Sequence, residues 1–352
     1  MYVIGLNHKT APIEIREKFY LNPTQQDLLL SELKANPAVA EAFVLSTCNR
    51  IEVYVKRVDA ASDMNFIVPL INRIKKIPSD FDYSKNFYSY TDTQAVEHLM
   101  RVATGLDSLV LGEKQILGQV KTAVERARQL AILSKYFNLL TNAAIRAGKK
   151  AQNETDISRG GSSVSWAAIN MAEQALGTLA DKSILIIGAG KMGELALSQI
   201  HDKGAGKIYL MNRTGEKAEE LAQKFSGIPV SFMDMKETLI DADICICSAG
   251  APHYILDKNM LTPIMAARQG RRLLLIDISM PRNIDPQTAA IEGVNLFTID
   301  DLDKVVGENM KKRQAAAKQV EVIIHQKIQE FGEKLEKIRS LSDSDFFEPI
   351  EV

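Results

Sequence analysis

Ser183-Ile184-Leu185-Ile186-Ile187 is a nearly uninterrupted apolar run, and it ends directly on Gly188-Ala189-Gly190-Lys191-Met192-Gly193. An apolar run without polar alternation suits a parallel strand covered on both faces. Runs of the same kind recur at 208–211, 244–247, 273–276 and 294–297, with helical stretches between them. That alternation predicts a doubly wound α/β sheet. Three glycines at this spacing, between a buried strand and a helix, predict a nucleotide-binding turn. Gly188 serves the tight turn, Gly190 lets backbone approach a pyrophosphate, and Gly193 permits close helix–strand packing. The helix N-terminus then faces the phosphates. About 20 residues on, a site for NAD offers an acid to the ribose diol. Here the second strand ends Met211-Asn212-Arg213-Thr214. With an arginine and a hydroxyl in place of an acid, a 2′-phosphate fits better, so NADP(H) is expected over NAD(H). The alternative is a domain of this shape that has lost its ligand.

The first half of the chain carries another pattern. Residues 2–6 read as a strand, Pro12 opens a helix toward Phe19, and Asn22-Pro23 starts a second helix. A hairpin over 42–55, a helix over 65–77 and an edge strand over 87–90 follow. This order predicts a small α+β sheet with helices on one face. Residues 91–153 are helical in pattern, with a break from Gly105 to Gly112, and the polar, glycine-rich stretch 155–162 marks a boundary. The expected organisation is therefore α/β multidomain: an N-terminal α+β domain over 1–155 (the catalytic domain, on the family resemblance given below), a Rossmann-type NADP-binding domain over 156–299, and a long C-terminal helix within 300–352. That helix, expected from about 300 to 341, carries Val320, Ile324, Ile328, Phe331, Leu335 and Ile338 as a heptad-like seam. It would be ~60 Å long. A helix longer than a domain is read as meeting a partner in preference to bending back on its own domains. The tail from Ser342 is acidic and expected to be loose.

At 352 residues the chain exceeds one ordinary core. A net charge of −1 provides no global field toward nucleic acid or membrane, so contacts with RNA fall to local patches. Arg126 with Arg128, Arg146 with Lys149 and Lys150, and Lys311-Lys312-Arg313 are either phosphate contacts or solvated helix faces. Three cysteines do not make a disulfide framework. The opening residues do not read as a signal peptide, and no apolar run reaches the roughly 20 residues of a membrane span. A cytoplasmic protein with no membrane association is expected.

Chemistry concentrates in Thr47-Cys48-Asn49-Arg50, at the tip of the hairpin. A cation beside a thiol favours the thiolate, and an arginine is a fork for a carboxylate. Two readings of Cys48 stand: a reactive thiol, and a small buried hydrophobe. Cys245 and Cys247, at alternate positions of a buried strand, are read as core, and no metal site is expected. His201, His253 and His325 look like surface or loop residues. His98, just before the Gly105–Gly112 break, is either structural or a proton donor near Cys48. A thiol and a nicotinamide together suggest acyl transfer to sulfur, then hydride transfer to the thioester, which yields an aldehyde.

Several motifs in order over about the first 300 residues resemble one family. They are Gly5-Leu6-Asn7-His8-Lys9-Thr10-Ala11-Pro12, Leu45-Ser46-Thr47-Cys48-Asn49-Arg50-Ile51-Glu52, Gly105 through Gln119, Gly188 through Gly193, Asn212-Arg213-Thr214 and Pro281-Arg282-Asn283-Ile284-Asp285-Pro286. The family is glutamyl-tRNA reductase. The resemblance implies NADPH-dependent reduction of glutamyl-tRNA(Glu) to glutamate-1-semialdehyde, the first step of the five-carbon route to 5-aminolevulinate and tetrapyrroles. Cys48 matches the family nucleophile and His98 a histidine important for activity. Thr47, Asn49, Arg50, Ser108, Glu113, Lys114, Gln115 and Gln119 match substrate contacts. Gly188, Ala189, Gly190, Lys191, Met192 and Gly193, with Asn212, Arg213 and Thr214, match the cofactor site. A homodimer through the C-terminal helix and handover of the aldehyde to an aminomutase are also implied. The chain departs from the family in reading Gly112-Glu113-Lys114-Gln115 where Gly-Glu-Pro-Gln is usual, and family members usually continue into further helices after the long one. Two other readings remain: a shikimate-dehydrogenase-like enzyme acting on a free small molecule without a thioester, and a non-catalytic NADP-responsive or tRNA-binding regulator.

Overall fold

The computed structural model describes residues 1–78, 82–158, 163–304 and 310–344. Its contacts divide into two units. The first is drawn from Met1–Ala11, Leu21–Arg159 and Met310–Val352, and the second from Pro12–Tyr20 and Gly160–Asn309.

In the first unit, β1 (Tyr2–Asn7), β2 (Val39–Ser46), β3 (Arg50–Arg57) and β4 (Tyr88–Thr91) form one antiparallel sheet in the order β2-β3-β1-β4. The short helix α1 (Ile13–Phe19), which follows β1 in the chain, belongs to the second unit. Helix α2 (Pro23–Ala35) starts where the sequence indicates, because Asn22 and Gln25 cap each other reciprocally and Pro23 occupies the first turn. Helices α3 (Ile67–Lys75), α4 (Asp92–Ala103), α5 (Gln115–Gln129) and α6 (Lys135–Glu154) follow. In the core, Phe43 stacks on Tyr54 at 4.4 Å and meets the edge of Phe137 at 5.2 Å.

In the second unit, six parallel strands run in the order β10-β9-β8-β5-β6-β7. They are β5 (Ser183–Ile187), β6 (Lys207–Met211), β7 (Ile228–Pro229), β8 (Ile244–Cys247), β9 (Leu273–Asp277) and β10 (Val294–Thr298). Helices α7 (Val164–Leu176), α8 (Lys191–Asp202), α9 (Gly215–Phe225), α10 (Met235–Asp241) and α11 (Lys258–Ala267) lie between or before them. The chain moves to opposite sides of β5, so the strand order reverses there and the carboxyl ends of β5 and β8 open a crevice. The sequence pattern missed β7, a two-residue edge strand whose proline has no N–H to donate. Helix α1 is held in this unit by Arg16 on Asp300 at 2.5 Å and by Arg282 on Glu14 and Glu17, each at 2.7 Å.

Two expectations for the C-terminal helix need correction. Helix α12 spans Met310–Ser344 rather than starting near 300, and residues 299–304 form a tighter 3-10 turn. There the Asp301 carboxylate accepts from both the amide and the hydroxyl of Thr298, while Asp300 receives Arg16 and the amide of Ile13. These acceptors close a local turn and take the place of helix propagation. Second, the seam is used within the chain. Val320, Ile324 and Phe331 are buried against α6 and α4 of the same unit, and Phe331 meets the Tyr136 ring at 5.7 Å. Ile328 and Leu335 are half-buried, while Ile338 is 43% exposed. Among the described residues, no helix is long and apolar enough to cross a membrane. Nor does any group of three or more His, Cys, Asp or Glu there stand ready to hold a metal.

Candidate active site

Strands β2 and β3 pair as far as Ser46 and Ile51, leaving Thr47, Cys48 and Asn49 at the tip. The Thr47 hydroxyl accepts from the amides of Asn49 and Arg50, both at 3.2 Å, and the Thr47 amide donates to the Arg50 carbonyl at 2.8 Å. The His8 amide donates to the Asn49 carbonyl at 3.0 Å. The tip is thus fixed by its own backbone, with Cys48 half-buried and outside any disulfide.

Side chains two apart on a strand share a face, and on β3 this places Arg50, Glu52 and Tyr54 together inside the fold. Glu52 is the hub. Its Oε1 accepts from Arg50 Nη1 at 2.8 Å and Tyr88 OH at 2.5 Å, and lies 2.8 Å from His98 Nε2. Its Oε2 accepts from Tyr54 OH at 2.6 Å. Burial opposes ionisation of this carboxyl, but the charge of Arg50, then His98 and the Tyr54 hydrogen bond, hold it well below the usual carboxylate range. Burial, then the negative charge of Glu52, push Tyr54 and Tyr88 well above an ordinary phenol, so both donate. Arg50 Nη1 also reaches Asp107 Oδ2 at 2.9 Å, and its Nη2 donates to the Asp107 carbonyl. Lys9 closes the far side of Asp107 at 2.5 Å. Burial opposes ionisation of Asp107 as well, and Arg50 and Lys9 outweigh it. Arg50 is therefore not a vacant fork: a ligand carboxylate would meet a guanidinium already shared by two acids.

Residues 105–112 form the second wall. Both ends are glycines in the left-handed region, with φ of 78° at Gly105 and 79° at Gly112, and the Gly112 amide bonds back to the Gly105 carbonyl. A Cβ on Gly112 would fall 1.9 Å from the Ile157 carbonyl oxygen. Beside this loop Glu113 is 6% exposed. Burial pushes its carboxyl up to about 7, against the pull of Arg50. Asn49 Oδ1, Ser108 Oγ and Gln115 Nε2 are among nine buried side-chain polar atoms with no hydrogen-bond partner among the described residues. Folded proteins leave few such atoms unsatisfied, and three that fall on residues the family resemblance matches to substrate contacts fit a polar ligand. Lys114 is exposed, with its carbonyl accepting from Gln152, and Gln119 is half-buried one turn beyond Gln115.

The nucleotide crevice is built differently. Gly188 has φ 108°, and a Cβ there would sit 2.7 Å from the Ala249 amide. A Cβ on Gly193 would lie 2.1 Å from the Gly188 carbonyl oxygen, whereas one on Gly190 would meet nothing within 4 Å. Gly190 also begins α8 without a side-chain cap, so the first amides of α8 face the space that Gly190 leaves open. The cavity is about 420 Å³, and its lining includes Ala189, Asn212, Arg213, Thr214, Lys217 and Phe232. Asn212 ties the glycine turn down, its Oδ1 accepting from the Ala189 amide at 3.1 Å and its Nδ2 donating to the Thr214 carbonyl at 3.0 Å. Lys191 is exposed and Met192 half-buried in the first turn of α8. An uncapped helix end, an open glycine and a lining of cations fit a pyrophosphate-bearing dinucleotide.

Cys245 and Cys247 are buried in β8, and the Cys247 thiol is pushed well up by its hydrogen bond with Cys245 and by burial. His201, His253 and His325 are exposed. The side chains of Lys311, Lys312 and Arg313 lie outside the described residues. Reading from sequence missed Glu52 as hub, together with Tyr54, Tyr88, Asp107, Lys217 and Phe232. Glu52 did leave a signal, an acid at an inward position of an otherwise apolar strand.

The comparisons with known proteins agree with this geometry. A family model described as glutamyl-tRNAGlu reductase, N-terminal domain, matches residues 4–155, and one described as shikimate / quinate 5-dehydrogenase matches residues 170–305. The chain is 42% identical over 339 residues to the glutamyl-tRNA reductase of Bacillus pumilus, covering 95% of this chain and 73% of that one. It is 40% identical over 348 residues to the enzyme of Thermodesulfovibrio yellowstonii, covering 97% and 81%. Among solved structures, the glutamyl-tRNA reductase of Methanopyrus kandleri superposes with a TM-score of 0.53 at 33% identity, covering 96% of this chain and 80% of that one.

Proposed function

The chain belongs to the glutamyl-tRNA reductase family, and from that premise we propose that Cys48 is the nucleophile that takes the glutamyl group from tRNA(Glu). The chain is an oxidoreductase with a nicotinamide-nucleotide domain, acting on glutamyl-tRNA at the first step of tetrapyrrole synthesis. The Cys48 sulfur attacks the ester carbonyl, the bond from that carbon to the ribose oxygen breaks, and the thiol proton ends on the released tRNA. The product on the protein is a Cys48 thioester. When bound, a reduced nicotinamide nucleotide would supply the hydride that takes this thioester to glutamate-1-semialdehyde, the carbon–sulfur bond breaking and Cys48 returning to the thiol with a proton from solvent. The chain's own residues hold the acyl group in place. Asn49, Ser108 and Gln115 offer it hydrogen bonds, Glu52, itself held by His98, fixes Arg50, and Thr47 keeps the tip rigid. The observation that carries this reading is the set of unpartnered polar atoms on Asn49, Ser108 and Gln115.

NADP(H) is the proposed cofactor, because Asn212, Arg213 and Thr214 present no acid to a 2′-phosphate. Gly188 through Gly193 cradle the pyrophosphate. A cytoplasmic enzyme, a homodimer through the distal part of α12, where Ile338 is exposed, and transfer of the reactive aldehyde to an aminomutase complete the proposal.

Mass spectrometry of protein incubated with glutamyl-tRNA, cofactor withheld, is expected to find a glutamyl adduct on Cys48. Cys48→Ser is expected to abolish NADPH oxidation while leaving nucleotide affinity within about twofold of the parent. Absence of the adduct, or oxidation of NADPH with free glutamate alone, would overturn the thioester route.

A further inference from the structure

Between Lys114 and Glu154 the chain has eight Lys or Arg and only two acids, a local charge of +6 in a chain whose overall balance is −1. Two contacts set how this charge is displayed. Gln152 Nε2 donates to the Lys114 carbonyl at 3.3 Å, and Arg128 Nε donates to Asn138 Oδ1 at 3.0 Å. Helices α5 and α6 therefore lie side by side and antiparallel, in a register that puts Ile145 across from Lys121. Both residues line a groove of about 450 Å³, together with Thr122, Val124, Glu125, Arg126, Arg128 and Gln129, so that its wall is mostly α5, with Ile145 from α6. Lys114, Lys121 and Arg128 are seven residues apart, so they share one face of α5 with ~10 Å between successive cations. Arg126 is neutralised by Asp27, Arg128 by Glu125 and Lys150 by Glu154. Lys114, Lys121, Lys135, Arg146 and Lys149 are exposed and have no acid partner among the described residues.

We propose that the groove between α5 and α6 carries the sugar–phosphate backbone of the aminoacylated arm of the substrate tRNA. The inference rests on the reading of Cys48 and Gln115 as the site that receives the glutamyl ester. Helix α5 starts at Gln115 and runs ~20 Å away from it, so its cations extend outward from a residue read as receiving the ester. Phosphates are met by exposed Lys and Arg and need no base-specific partner. Of the groove's own cations Lys121 is unpaired, and the exposed Lys114, Lys135, Arg146 and Lys149 stand on the same two helices; a face with this excess of cations is a match for a polyanion and is too strongly charged for an apolar peptide. Each cation engaged displaces counterions, which makes binding steeply dependent on salt.

The test is the triple variant Lys121→Ala, Arg146→Ala, Lys149→Ala in the full chain. Its KM for glutamyl-tRNA is expected to rise tenfold or more. The slope of log affinity against log salt, read by fluorescence anisotropy with a minihelix carrying only the aminoacylated arm, should flatten by about 2. The charge-keeping variant Lys121→Arg, Arg146→Lys, Lys149→Arg should restore both quantities. Binding of nicotinamide nucleotide reports that the second unit is intact, and the unfolding midpoint reports the first. Unchanged KM and unchanged salt slope would overturn the proposal, as would a charge-keeping variant as weak as the alanine one. If the parent protein instead forms no Cys48 adduct with glutamyl-tRNA, it is the active-site reading that fails, and the minihelix titration still decides the groove.

Discussion

The turn that carries Cys48 and the crevice that follows β5 are both candidate ligand sites, but they are made of different material. Around Cys48 the work is done by side chains brought together from far apart. Glu52 meets His98 across 46 positions, and Arg50 meets Asp107 across 57. At its centre Arg50, Glu52 and His98 are taken out of water and matched to one another. The crevice has almost no internal charge pairing. It is a shape left by glycines and by the amides at the start of α8. A site of matched buried charges fails when one partner is removed, because desolvated charge without a partner is expensive. A site made of backbone and empty space loses only what each lining side chain adds to the ligand. The two sites should therefore respond to substitution on different scales.

Glu52→Gln is the strongest way to break that comparison. It keeps the volume and removes the charge that Arg50, His98, Tyr54 and Tyr88 all address. Breaking a buried pair costs about 3–5 kcal/mol. Urea unfolding of the first unit is expected to shift by that amount, with reductase activity lost and nucleotide affinity in the second unit unchanged. A shift under about 1 kcal/mol would mean that the hub behaves as an exposed pair, and the contrast between the sites would disappear.

Glu113→Gln probes the one acid at this site that is buried without compensation. Its carboxyl lies at about 7 in the fold, against about 4.3 in an unfolded chain. Between those values the folded state keeps a proton that the unfolded state releases, so stability falls as pH rises. The contribution is whole below about pH 4, is lost as pH passes 7, and amounts to roughly 4 kcal/mol. The glutamine variant lacks the carboxyl that suffers this loss. Its stability relative to the parent should climb between pH 5 and pH 8 and level off above. A gap that stays constant over that range would show that the Glu113 carboxyl is not desolvated.

The same contrast governs what can be read from sequence. Gly188 through Gly193, with the buried strand before them, are a contiguous signal, and the crevice they build was legible. Thr47 through Arg50 were legible as residues, because a thiol, an amide and a cation at a hairpin tip are visible locally. Their partners were not, since nothing local ties Glu52 to His98 or Asp107 to Lys9. Helix α1 shows the same limit. Its seven residues carry Arg16, fully buried, whose partner Asp300 lies 284 positions away. No periodicity within α1 tells which unit it joins. The seam on α12 announces an apolar face but not its occupant, and α6 and α4 take the first part of it. The cationic run on α5 and α6 was visible as separate clusters. Only the antiparallel register of the two helices brings them side by side.

Arg213→Ala tests the crevice on its own, smaller scale. Arg213 is exposed at the cavity wall, so its loss leaves no buried charge behind and should not alter stability. What it removes is a charge-assisted contact to the ligand, about 1.5–3 kcal/mol when well formed and nearer the lower end for a side chain in water. The affinity for NADPH is expected to fall about tenfold, with that for NADH unchanged, as read by nucleotide fluorescence titration. The two nucleotides differ only at the 2′-phosphate, so their ratio isolates the contact from anything done to the glycine turn. An equal loss for both would place Arg213 on the pyrophosphate and leave Thr214 and Lys217 to discriminate. Asn212→Asp then sharpens the answer. The aspartate can still accept the Ala189 amide, but it loses the donor to the Thr214 carbonyl and brings a negative charge to the 2′ position. If shape and backbone hold the dinucleotide while side chains only choose between its two forms, this variant should bind NADH as well as or better than the parent and bind NADPH worse.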